Sequence, residues 1–199
     1  MRSSYTYRLL ALALFLLSAP RALADQISWS YDFSMSPSTV QASSGGSGQV
    51  DFTTLSGSMT STLPTAATLT AVNLHAVSAA AAANPARFND AEYTLTMHFT
   101  DLSSGLKATV TFEGVLNGTV SASGTSLKNT FLGQTEYAFD LNHHVYDISI
   151  GDFRAPGAHG SDDLGSISVE VSLHHNPEPS SLVLGALALP ALAYLRRRR

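Results

Sequence analysis

Cysteine is absent from the 199 residues, which excludes a disulfide scaffold, a thiolate nucleophile and thiolate metal sites. Positive charge is scarce through the middle of the chain. From Asp25 to Asn176 only Arg87, Lys107, Lys128 and Arg154 are basic, against 14 carboxylates. That body carries a formal −10, whereas the whole chain reads −4, because the remaining bases sit in the two ends. Such a surface repels nucleic acid and anionic lipid, so a nucleic-acid binder is excluded. The body also lacks any long apolar run and any extended helical period. Both long apolar runs, Leu9–Leu17 and Leu182–Leu195, are terminal.

The N-terminal run follows Arg2 and Arg8 and precedes Ala22-Leu23-Ala24. A basic start, a short apolar stretch and an A-x-A site are the parts of a secretory signal peptide. At 1.5 Å per residue the run spans about 14 Å, half of a bilayer core of about 30 Å. The expectation is a signal peptide over 1–24, read by the Sec translocation machinery and cleaved after Ala24.

At the other end, Pro177-Glu178-Pro179-Ser180-Ser181 leads into the apolar stretch Leu182–Leu195 and then Arg196, Arg197, Arg198 and Arg199. The prolines fix φ and keep the motif extended, so that an enzyme can read Glu178. The apolar stretch, about 21 Å as a helix, is long enough to enter a membrane and short for spanning it. The arginines hold the tail on the cytoplasmic side and leave the body outside.

This three-part tail resembles the PEP-CTERM sorting signal of exported bacterial proteins. The resemblance covers 177–199 and implies recognition by an exosortase-like membrane enzyme in a bacterium that makes exopolysaccharide. It also implies anchoring of the chain in the membrane by the tail before processing, and a final place at the cell surface or in the extracellular matrix. For the body it implies no activity.

Between the ends, apolar and polar residues alternate with period two. Ile27, Trp29, Tyr31 and Phe33 form one such set; Tyr93, Leu95, Met97 and Phe99 a second; Leu106, Ala108, Val110 and Phe112 a third. Tyr137, Phe139 and Leu141 form another, and Ile167, Val169, Val171 and Leu173 the last. Each predicts a strand with one buried and one wet face. Less regular strands are expected at 48–54, 67–77, 115–122 and 145–151. Ser103-Ser104-Gly105 and Asn117-Gly118 read as turns, and Gly45-Gly46-Ser47-Gly48 as a flexible connection. Ala79–Ala83 allows one helical turn before Asn84-Pro85 ends it. Serine and threonine make up 39 of the 152 body residues and keep wet faces soluble where charge is sparse. About nine strands predict an all-β domain over 25–176, an antiparallel β-sandwich of jelly-roll or Ig type.

Chemistry is harder to find in this body. Asp152, Asp162 and Asp163 flank the loop 154–161, and carboxylates with loop carbonyls are the donors that Ca²⁺ takes. No EF-hand or nonapeptide spacing accompanies them, so a solvated acidic loop is the primary expectation and a Ca²⁺ site the alternative. His143 and His144, with Asp140 and Asp147, are a second possible metal set. Neighbouring strand residues point to opposite faces, which favours plain turn histidines there. His174 and His175 are a further candidate pair, for which an exposed stalk is the primary expectation. Trp29, Tyr31, Tyr137 and Tyr146 could stack on sugars if exposed, but alternating aromatics more often form core. No G-x-S-x-G elbow or distinctive carboxylate pair marks a catalytic site. The functional expectation is therefore a non-catalytic surface or matrix protein. A carbohydrate-binding module for exopolysaccharide, and then a glycoside hydrolase, are the alternatives.

Overall fold

A computed structural model describes residues 26–175 as strands and short connections, with no helix among them. The expected signal peptide with Ala22 and Ala24, the Pro177-Glu178-Pro179 motif and Arg196–Arg199 lie outside the described residues. In chain order the strands are β1 (Gln26–Ser36), β2 (Thr39–Gln41), β3 (Ser44–Gly45), β4 (Gln49–Thr54), β5 (Ser56–Thr62) and β6 (Thr65–Val77). They continue with β7 (Ala86–Asp101), β8 (Lys107–Ser121), β9 (Gly124–Leu132), β10 (Glu136–Leu141), β11 (His144–Arg154) and β12 (Gly165–His175). All pairings are antiparallel. One sheet runs β5-β1-β7-β8-β9, with β3 on the end of β7; the other runs β10-β11-β12-β6-β4-β2.

The alternating residues meet between these sheets. Trp29, Phe33, Leu95, Met97, Phe99 and Phe112 of the first sheet and Leu74, Tyr146, Ile148, Val169 and Val171 of the second belong to one buried cluster. Trp29 stacks on Phe99, and Phe99 meets Tyr146 edge-on at 4.6 Å between centroids. Aromatic contacts of this kind join the two layers by more than area alone.

Two corners fold the sheets over each other. At Leu55 the N–H donates to Ala71 of β6 at 3.0 Å, while the carbonyl accepts from Phe33 of β1 at 3.2 Å. One residue thus belongs to both sheets, and β4–β5 is a single strand that changes layers there. The partner segment β1–β2 changes layers alongside it, around Pro37. A long hairpin therefore wraps the core.

The antiparallel registers bring both ends of the described chain to one pole. Trp29 lies opposite Asp101, Gln26 opposite Thr62, and His175 opposite His144. This pole consists of the start of β1, the end of β12, and the turns at 62–65, 101–107 and 141–144. The loops at 42–48, 78–85, 122–123 and 155–164 form the opposite pole.

Three expectations are corrected. Asn117-Gly118 is no turn: it lies within β8, with Gly118 opposite Phe88 on one side and Leu127 on the other. The bulge in β7 at Asn89–Asp90 explains it. The Asp90 N–H donates to Asn117 Oδ1 at 2.9 Å, and Asn117 Nδ2 donates to Asp90 Oδ1 at 3.0 Å. The strands expected at 106–113 and 115–122 are consequently one. Finally, Gly45 is not loose; with Ser44 it pairs to Arg87 and Ala86 of β7.

Candidate functional site

The most chemically organised point is the pole where the chain ends meet, and its centre is Asp101. The sequence assigned this residue no role. As the last residue of β7 it closes the hairpin, its N–H donating to Leu106 O at 2.9 Å and its carbonyl accepting from Gly105 N at 2.7 Å. Gly105, the last residue of the turn before Leu106, adopts φ +74°, a conformation that favours glycine. Alternation sends the Asp101 side chain inward, where it is fully buried.

Its carboxylate is saturated with donors. Oδ1 accepts from the Ser103 N–H at 2.8 Å, the Ser104 N–H at 3.1 Å and the Ser103 hydroxyl. Oδ2 accepts from Tyr146 Oη at 2.8 Å and from His144 Nδ1 at 3.0 Å. A carboxylate only accepts, so Nδ1 carries the shared proton. Burial opposes the charge and would raise the Asp101 pKa. The hydrogen bonds from Ser103, His144, Tyr146 and the Ser104 backbone outweigh it and lower the group to about 2. Burial and the adjacent carboxylate push the Tyr146 hydroxyl well above the ordinary phenol range. The cluster ties β7 of one sheet to β11 of the other. Its partners are occupied, which suits a clamp between layers.

The histidine pair divides as strand geometry requires. His143 is exposed in the turn with φ +71°, its N–H donating to Asp140 Oδ1 at 2.9 Å. His144 is buried against Asp101, so its expected place in an exposed turn is wrong. Asp147 faces outward and lies 3.4 Å from His174. The four residues of the possible metal set therefore diverge. His174 and His175 lie on β12, opposite Val145 and His144 of β11, rather than in a stalk.

At the opposite pole, Asp163 is engaged by Arg154 Nη2, and its carbonyl accepts from Gly157 N at 2.7 Å. Asp152 and Asp162 are exposed. Among the described residues no three acidic or histidine side chains gather closely enough to hold a metal ion.

On the outer face of the second sheet a shallow groove of about 230 Å³ runs over β6, β11 and β12. Ala66 and Ala67 line it from β6, and Asp147, Ser149, Glu170 and Ser172 supply polar lining from β11 and β12. No aromatic ring lines it. Trp29 and Tyr146 are core residues, and Tyr31 and Tyr137 pack half-buried against it. The Tyr137 hydroxyl is spent on Thr111 O at 2.6 Å. No protein-family model matches this chain, and no curated protein or solved structure is detectably similar to it.

Proposed function

We propose that the chain is exported, sorted through its C-terminal tail, and serves as a non-catalytic structural component of the cell surface or extracellular matrix. The observation that carries this reading is the pairing of a signal peptide with Pro177-Glu178-Pro179, an apolar stretch and four terminal arginines. The domain boundaries suit it. Strand β1 begins two residues after Ala24, and β12 ends two residues before Pro177, so cleavage at either place would leave every strand whole. The wrapped hairpin β1–β2/β4–β5 makes the two-sheet body jelly-roll-like in our reading.

A sugar-binding module recognises rings by stacking on solvent-facing aromatics. Here every aromatic of 26–175 packs in or against the core, which favours the structural reading over exopolysaccharide recognition by stacking. The sorting claim is tested in the native cells with Glu178→Ala and with a deletion of Arg196–Arg199. Both variants should be retained or mislocalised while the β-domain stays folded; normal processing and address would refute the claim.

A further inference from the structure

We propose that the pole where both chain ends meet faces a lipid bilayer, and that Leu102 and Leu106 rest in its interface while the tail is inserted. The proposal rests on the sorting reading above. Its first support is reach. Only six residues, 176–181, separate His175 from the apolar stretch. Fully extended they cover at most about 20 Å. A tail held in a membrane therefore keeps this pole, and not the opposite one, beside the lipid.

The second support is what the pole presents. Leu102 and Leu106 are 51% and 47% exposed, and both flank the tip of the β7–β8 turn. Among the described residues the other exposed large apolar side chains lie apart: Leu132 opposite Glu113, midway along β8, and Leu164 at the far pole. The turn is held rigid, because Asp101 accepts from the backbone of both Ser103 and Ser104. Its leucines therefore cannot fold back onto the core without breaking that clamp.

Charge is the third support. The acidic body as a whole is repelled by an anionic bilayer surface, but the β7–β8 turn that carries the two leucines is an exception. Across 101–107 the sole carboxylate is buried Asp101 and Lys107 adds a positive charge, 62–65 holds no carboxylate, and exposed Asp140 lies at the edge of the third turn, its Oδ1 accepting from the His143 N–H. Two leucines beside a lysine suit shallow seating at headgroup depth rather than insertion into hydrocarbon.

The absence of cysteine makes the test direct, since each introduced thiol is unique. The full-length chain is reconstituted in vesicles of phosphatidylethanolamine and phosphatidylglycerol that contain a lipid with a headgroup-proximal nitroxide. An environment-sensitive fluorophore is placed at Lys107→Cys, at His159→Cys on the far pole, or at Ala188→Cys in the tail. The expected result is a blue shift and loss of fluorescence at 107, neither at 159, and loss at 188. Adding Leu102→Ser and Leu106→Ser to the 107 variant should abolish the effect at 107 and leave 188 unchanged. Quenching at 188 with none at 107 would overturn the lipid contact while leaving the inserted tail intact. A blue shift at 107 without nitroxide quenching would mean a protein contact and would overturn it as well. No quenching at 188 would remove the inserted tail, and the proposal with it.

Discussion

Asp101 shows how much of this fold hangs on a single carboxylate. It is fully buried, yet five donors converge on it from β7's own turn and from β11. Replacing it with Asn preserves shape but turns two acceptors into one and sets an amide N–H against other donors. The expected loss is roughly 3 kcal/mol, set by the donors left unpaired. The acid response follows from the lowered pKa. Asp101 falls from an ordinary 3.8 to about 2 in the folded protein, so the unfolded state binds the proton more tightly. Its contribution is present in full above pH 3.8 and is lost as pH falls through about 2. It amounts to about 2 kcal/mol. Chemical denaturation from pH 6 to pH 2 should show this component in the native chain and not in Asp101→Asn. Equal slopes in the two would contradict the account.

Among the elements, strand β8 is the best test of the architecture. Gly118 sits mid-strand at φ +132°, with no room for a Cβ against the Ser126 carbonyl of β9. Gly118→Ala combines a strained backbone with a clash against main chain, and should cost roughly 3 kcal/mol in thermal or chemical unfolding. A change below about 0.5 kcal/mol, the level of ordinary surface substitutions, would contradict the continuous β8. The acidic loop gives a second test. Arg154 already neutralises Asp163, so unfolding midpoints in chelator, Ca²⁺ and Mg²⁺ at equal ionic strength should coincide. A Ca²⁺-selective rise that Asp162→Ala/Asp163→Ala removes would establish a site there.

These same elements show what alternation could and could not reveal. Strands β1, β7 and β12 were legible because each turns alternate residues toward the core over most of its length. Strand β5, Ser56–Thr62, was not, since as an edge strand of serine, glycine and threonine it contributes only Met59 to the core. Strand β9 buries only Leu127. Asn117-Gly118 misled because the same dipeptide that makes a tight turn also fits opposite a bulge. Asp101 gave no local signal, because its partners His144 and Tyr146 are 43 and 45 residues away. Only the paired strands bring them together.

At the scale of the whole molecule, the proposed function divides labour between the β-domain and two terminal segments that would carry its address. The fold suits that division. Both chain ends leave from one pole, and β1 and β12 each lie inside a sheet rather than at its edge. Removal of either terminal segment therefore leaves both sheets complete. Export and sorting of this chain are tested by intact-mass analysis of the protein from fractionated native cells. The expected result is a chain beginning at Asp25, recovered from the envelope or the extracellular matrix. A chain still carrying residues 1–24, recovered from the cytosol, would contradict it.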